Sequence, residues 1–355
     1  MSDREIRVNG DRPAHGLSEL TGVATRPGET ASFAESAELA VVVRGDFVES
    51  RHGGSAVVLG QDAALLRTVG NPTAPVFGRS SLKPLQALAA LSAGADLEGV
   101  ELAVASASHS GTPAHVEAVR RILAKAQLPE SALRCPAVMP ADSEARAGVR
   151  AEGGGPAPIY MECSGKHAAM LLACVANGWD IDGYLDPEHP VQKHVVDTIE
   201  RLTGEKITNI AVDGCGAPTF TVSLTGLARG IQRIATAQAS SPFPLYKKAA
   251  AVTQAVLDFP WAIHGQGRSD SVLVERLGVL AKRGAEGLLV VAAPDGTTVA
   301  LKVLDGAHRP ATVVALTLLV KAGALSAASV AAVLPDVVGP VLGGGRPVGE
   351  VRPVI

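Results

Sequence analysis

Lys83 and Lys166 stand where a helix would sooner carry a carboxylate. In Arg79-Ser80-Ser81-Leu82-Lys83-Pro84 a lysine follows a serine by three residues, just ahead of the helical pattern Leu82, Leu85, Leu88, Ala89, Leu91. If a helix begins at Ser80 or Ser81, positions i and i+3 share a face, which puts the Lys83 ammonium near the Ser80 hydroxyl. A cation in the first turn opposes the helix macrodipole. Desolvated there, the amine can shed its proton and act as base to the serine, the Ser-Lys form of nucleophilic catalysis. Taken alone, the motif reads more simply as a capping serine beside a solvated lysine.

Other stretches carry chemistry out of proportion to their surroundings. Ser108-His109-Ser110-Gly111 ends an apolar run, and by itself is a buried serine stretch with a capping histidine. Cys163-Ser164-Gly165-Lys166-His167 opens a helix with a second lysine set against the dipole, and a thiol near a helix N-terminus and a lysine should have its thiolate favoured. Asp213-Gly214-Cys215-Gly216 reads as a strand-to-helix turn that presents a carboxylate and a thiol, its glycines permitting close ligand approach. Two thiols at separate turns could meet around a soft metal such as zinc. The spacing alone is weak, since neither CxxC nor HExxH occurs. A buried cysteine beside a surface lysine, and a glycine-rich turn with an incidental thiol, are the plain alternatives.

Gly265-Gln266-Gly267-Arg268 lacks the preceding strand and the third glycine of a dinucleotide loop, which leaves Arg268 as an anion clamp for a carboxylate. Lys282-Arg283-Gly284-Ala285-Glu286-Gly287, just before a strand, resembles the lysine-glycine element at the sheet edge of Ser-x-x-Lys acyl-transfer enzymes. Cys135 and Cys174 have no comparable setting and are read as structural.

The elements that must position these groups follow from periodicity and punctuation. Short β-rich runs at 39–43, 56–59 and 64–69, broken by Gly and Asp, predict an antiparallel meander. Helices are predicted from Ser80, from Thr112-Pro113 as N-cap and N1, from Cys163 to Asn177-Gly178, over 190–202, after Pro218, and over 244–257. Residues 129–158 read as mostly irregular. Strands at 287–293 and 298–303 are joined by Pro294-Asp295-Gly296, and the helix at 310–322 with a shorter one after it ends the regular structure. The order predicts an α+β fold, with an antiparallel sheet built from both chain ends and a helix-rich middle beside it.

The 355 residues allow one large core, and with 47% hydrophobic but 3% aromatic residues that core must be made of Ala, Val, Leu and Ile. A net charge of -3 gives no reason to expect a nucleic acid partner, and irregularly spaced cysteines argue against a disulfide framework. The start of the chain has no apolar leader and no run is long enough for a bilayer, so the reading is a cytoplasmic protein with no membrane partner. Residues 1–36 read as a disordered N-terminal tail, and 37–355 as a single catalytic domain.

Laid out in order, these motifs resemble the asparaginase II family, the rhizobial-type or class 3 bacterial L-asparaginases. The resemblance runs from about residue 39 to the helix at 310–322. It rests on Val48-Glu49-Ser50-x-His52, Arg79-Ser80-Ser81-Leu82-Lys83-Pro84-Leu85-Gln86, Ala107-Ser108-His109-Ser110-Gly111, Cys163 to His167, Asp213-Gly214-Cys215-Gly216-Ala217-Pro218 and Lys282-x-Gly284-Ala285-Glu286-Gly287. It implies a fold like serine β-lactamases and bacterial glutaminases, a homodimer, and hydrolysis of L-asparagine to L-aspartate and ammonia. By position, it implies Ser-Lys pairs at Ser80–Lys83 and Ser108–Lys282. It implies a zinc site at Cys163, Lys166 and Cys215, and substrate contacts at Arg79, His167 and Asp213. A lysine that ligates zinc must be neutral, in keeping with the dipole argument for Lys166. The family's loop usually reads Gly-Thr-Gly-Arg where this chain has Gly265-Gln266-Gly267-Arg268, and Ser269 stands where an aromatic is common. The expected mechanism is attack by Ser80. Its alternatives are a zinc-bound water as nucleophile and an inactive zinc- or amino-acid-binding homologue.

Overall fold

The structure is a computed structural model that describes residues 29–355, so residues 1–28 of the predicted tail lie outside the described residues. The rest of that stretch holds a 3-10 turn, Phe33–Glu35, and Glu35 accepts hydrogen bonds from the Ser32 amide and the Asn71 side chain, both at 2.8 Å.

In chain order come β1 (Ala37–Arg44), β2 (Phe47–Leu59), β3 (Leu65–Val69), β4 (Val76–Phe77), a 3-10 turn at Arg79–Leu82, and α1 (Lys83–Ser92). The middle contains α2 (Gly99–Ala105), α3 (Pro113–Lys125), α4 (Ser143–Ala151), α5 (Ser164–Asn177), α6 (Pro190–Thr203), β5 (Ile210–Val212) and β6 (Pro218–Val222). Then follow α7 (Leu224–Ala235), α8 (Pro244–Asp258), α9 (Pro260–Ile263) and α10 (Ser269–Leu277). The end is β7 (Leu280–Gly284), β8 (Leu288–Ala292), β9 (Thr298–Val303), α11 (Ala311–Lys321), α12 (Ala327–Val337), β10 (Val341–Gly343) and β11 (Arg346–Pro353).

The main sheet is antiparallel, in the order β10-β11-β1-β2-β9-β8-β7, and the far half of β2 also pairs with β3. Both chain ends therefore build it, as the order of elements predicts. Every residue of β8 is buried, and all of β9 except Lys302, so these strands need cover on both faces. Helices α7 and α11 both pack onto them. One hydrophobic cluster runs from Leu39 to Val351, and it is built from small and branched aliphatics as the composition requires.

Four predictions are corrected. The stretch Pro218–Val222 is strand β6, not the start of a helix; it pairs with both β4 and β5 and is buried throughout. Helix α7 begins only after Ser223, whose hydroxyl caps Gly226 N. The turn at 213–216 therefore joins two strands. Helix α4 lies within the stretch predicted to be irregular, capped by Asp142 on Ala145 N at 2.9 Å. Lys282 lies inside strand β7, which the sequence does not predict, while the strand expected after the motif is β8. Finally, β10 and β11 follow the predicted end of regular structure. β11 is mostly exposed and carries Arg, Gly and Pro, so it shows little apolar alternation, yet it pairs with β1 over Ala40↔Pro353 to Arg44↔Gly349.

Candidate active site

The site forms where a glycine contact lets the 3-10 turn Arg79–Leu82 sit on the sheet edge. A Cβ on Gly284 of β7 would lie 2.9 Å from Gly78 O, closer than a side chain tolerates, and a tight 3.2 Å from Ser81 N. Gly78 N donates to Phe220 O at 2.9 Å, so the turn Arg79–Leu82 is tied to β6 as well. Arg79 has φ of +47°, a strained backbone for a residue with a Cβ, and this conformation leads directly into Ser80.

The predicted residues of both Ser-Lys pairs are near one another, but their hydrogen bonds differ from the expected pairing. Lys83 is fully buried at the start of α1, and its Nζ donates to Ala107 O at 2.6 Å, Ser108 Oγ at 3.0 Å and Glu162 O at 3.3 Å. Two of these partners are carbonyls, which can only accept, while the Ser108 hydroxyl can donate or accept. Lys282 Nζ lies 2.9 Å from Ser108 Oγ and 2.9 Å from Arg283 O. Among the described residues, the half-buried Ser80 hydroxyl makes no hydrogen bond, to Lys83 or to any other group. Ser108 is thus held between two lysines.

Burial pushes the Lys282 pKa down to about 7; Asp270, 4.0 Å away, opposes the fall, while Lys83 and Arg283 add to it. Asp270 is itself fully buried on α10. Burial would raise its pKa, but Arg283 and Lys282 hold it at about 2, with Arg283 Nε 2.7 Å from its carboxylate. The lone serine stretch owes its position to backbone bonds: Ser108 N donates to Ile263 O at 2.9 Å, and His109 N to Glu162 O at 3.2 Å.

Beside this cluster, the β5–β6 hairpin brings Cys215 against the start of α5. Lys166 Nζ lies 3.3 Å from Cys215 Sγ, and Asp213 Oδ2 lies 4.0 Å from the same sulfur. Cys163 and Cys215 interact as buried thiols: that interaction and then burial push the Cys163 pKa up, while the same interaction, Lys166 and the Ala217 amide bring the Cys215 pKa down. Of the two thiols, Cys215 is the one with the Lys166 amine against its sulfur, which favours its thiolate. Lys166 also departs from expectation: burial disfavours its charge, but Cys215, Cys163 and Asp213 outweigh burial and raise its pKa.

Among the described residues, no group of three or more His, Cys, Asp or Glu could hold a metal. A third protein ligand beside the two thiols would have to be the Lys166 amine. Two sulfurs and one nitrogen are a donor set suited to zinc, with a proton to be displaced from the lysine.

Arg79 Nε donates to Asp213 Oδ1 at 2.6 Å, placing a guanidinium and a carboxylate side by side at the edge of this cluster. Burial works to raise the Asp213 pKa, but Lys166 and Arg79 lower it overall. His167 is fully buried, with Nδ1 2.7 Å from the Tyr184 hydroxyl and Nε2 without a partner. Burial and then Lys166 hold its pKa at about 3. Arg268 is not brought in: it sits at the N-cap of α10, its guanidinium donates to Ala141 O at 3.3 Å, and among the described residues it has no hydrogen bond to the serine–lysine cluster.

The sequence assigns no role to Asp270, Arg283 or Tyr184. Asp270 and Arg283 lie beside residues already singled out, Arg268 and Lys282. Tyr184 lies in an undistinguished connection, and nothing local marks it.

No curated protein matches the chain. Among solved structures, Mglu in its native form is similar at a TM-score of 0.44 and 13% identity, over 76% of this chain and 64% of that one, less than two thirds of its length. A Bacillus glutaminase is similar at 0.43 and 11%, over 76% of this chain and 91% of that one. A probable glutaminase of Bacillus subtilis is similar at 0.42 and 11%, over 76% and 88%. The sequence profile of L-asparaginase II matches residues 40–353, a span that takes in most of β1 and all of β11 as well as every serine, lysine and cysteine of the cluster. The chain belongs to the L-asparaginase II family.

Proposed function

We propose that the protein is an amidohydrolase that cleaves the side-chain amide of L-asparagine, giving L-aspartate and ammonia through an ester on Ser80. The observation that carries the chemistry is the Ser108 hydroxyl held between two buried lysines. With Lys83 as an ammonium that donates to Ser108 Oγ, the serine hydrogen is free to point at Lys282. Lys282, with a pKa near 7, is the lysine able to accept it near neutrality. A proton can thus pass from Lys83 through Ser108 to Lys282, leaving the Lys83 amine as base for Ser80.

Ser80 then attacks the amide carbon, and its proton is passed to the departing nitrogen, which leaves as ammonia. Water adds to the resulting β-aspartyl ester, releasing aspartate and restoring the Ser80 hydroxyl. The Arg79–Asp213 pair offers opposite charges side by side, matched to the α-carboxylate and α-ammonium of an amino acid. Arg268 would serve as a carboxylate clamp only by leaving Ala141.

Zinc would be held by Cys163, Lys166 and Cys215. Bound there, it would supply Lewis-acid polarisation and order the hairpin tip against α5. We also propose that residues 37–355 act as one catalytic domain in a homodimer, to which sedimentation would give the mass.

The test is ammonia release from asparagine, glutamine and a β-lactam, with Ser80→Ala beside the unaltered protein. Loss of several orders of magnitude and an acyl adduct on Ser80 by mass spectrometry are expected. Near-unaltered turnover by Ser80→Ala would overturn the assignment.

A further inference from the structure

Tyr184 lies in the connection between α5 and α6 and is completely buried. Its oxygen is 3.1 Å from the backbone N–H of Arg134, which can only donate. The same oxygen is 2.7 Å from His167 Nδ1. Among the described residues the phenol has no further hydrogen-bond partner. Its single hydrogen therefore has one acceptor available, Nδ1.

The opposite arrangement would place a hydrogen on Nδ1. Two N–H groups would then converge on the phenol oxygen, and the phenol hydrogen would be buried with no acceptor. Leaving a buried donor unmade costs on the order of 1–3 kcal/mol. With Nδ1 as acceptor, the hydrogen of the neutral ring sits on Nε2. That atom is buried and has no protein partner, so its hydrogen is open to an acceptor from water or from a bound ligand.

We propose that Tyr184 is a positioning residue that fixes His167 as the Nε2–H tautomer, so that His167 offers the substrate a hydrogen-bond donor aimed at a carboxylate or carbonyl oxygen, and never an acceptor for an ammonium. The substrate half of this inference rests on the proposed function; the tautomer half does not. It separates the roles around the amino-acid head group: among these residues, the α-ammonium is left to Asp213.

The tautomer is read directly on the purified full-length protein, labelled with ¹⁵N-histidine, from long-range ¹H–¹⁵N spectra without substrate. The expected result is a His167 Nδ1 without hydrogen and an Nε2 carrying one; the reverse overturns the proposal whatever the protein hydrolyses. Tyr184→Phe is expected to give a mixture of tautomers and a roughly tenfold rise in KM for asparagine with kcat little changed, about the worth of one hydrogen bond. A Tyr184→Phe protein with lowered thermal stability but unchanged tautomer and KM would show a structural role only, and would overturn the positioning role. If asparagine is not a substrate at all, the tautomer measurement still stands or falls by itself.

Discussion

The proton path through Ser108 requires Lys282 to be neutral when it accepts, so activity should rise with pH through about 7 and the acid limb should report Lys282. Asp270→Asn tests this. The carboxylate lies 4.0 Å from Lys282 Nζ, and a unit charge at that distance is worth about 4 kcal/mol at an effective dielectric of about 20. That corresponds to roughly 3 pKa units, an upper bound because Arg283 shares the carboxylate. Removing Asp270 takes away the carboxylate that does most to hold the Lys282 proton and leaves the Arg283 cation unbalanced. Both effects lower the Lys282 pKa. The acid limb should therefore move to lower pH by at least about one unit, measured as ammonia release from saturating asparagine between pH 5 and 9. Breaking a buried ion pair costs on the order of 3–5 kcal/mol, so thermal denaturation of the variant at each pH accompanies the assay. An acid limb that stays in place or moves to higher pH, in folded protein, would refute the proton path.

Two further outcomes are expected. A Cβ on Gly165 would lie 2.4 Å from Val104 O and 2.8 Å from its carbonyl carbon, so Gly165→Ala must push α5 away from α2. It should cost about 1–3 kcal/mol and lower the melting temperature by several degrees; an unchanged melting curve would contradict the close approach. For the metal, elemental analysis of the purified protein should find zinc that is lost in Cys215→Ser and kept in Cys135→Ser, and equal zinc in both would rule out the proposed ligands.

Much of the site could be read without coordinates because its residues break local rules. Lys83 and Lys166 oppose a helix dipole, and glycines flank Cys215, so each stands out within a few residues of sequence. The sheet built from both chain ends also followed from the order of elements, though its last strand pair did not. β11 carries little apolar signal because most of it is exposed, and it is held by pairing with β1 rather than by its own burial. Phe220 misled in the other direction. Its spacing from Leu224, Leu227 and Ile231 fits a helix, but β4 and β5 supply backbone partners on both sides and make it a strand.

The sequence by itself determined which groups are chemically unusual, and that Ala, Val, Leu and Ile must form the core. Only the tertiary structure decided how those groups pair. Spacing suggested Ser80 for Lys83, yet Lys83 reaches across to Ala107, Ser108 and Glu162, and Lys282 arrives on the same serine from 174 residues away. Spacing likewise suggested a thiolate at Cys163, whereas Lys166 lies against Cys215. The physical reason is common to both: a buried charge takes whichever partners desolvation leaves within reach, and these are chosen by the packing of distant elements rather than by neighbours in the chain.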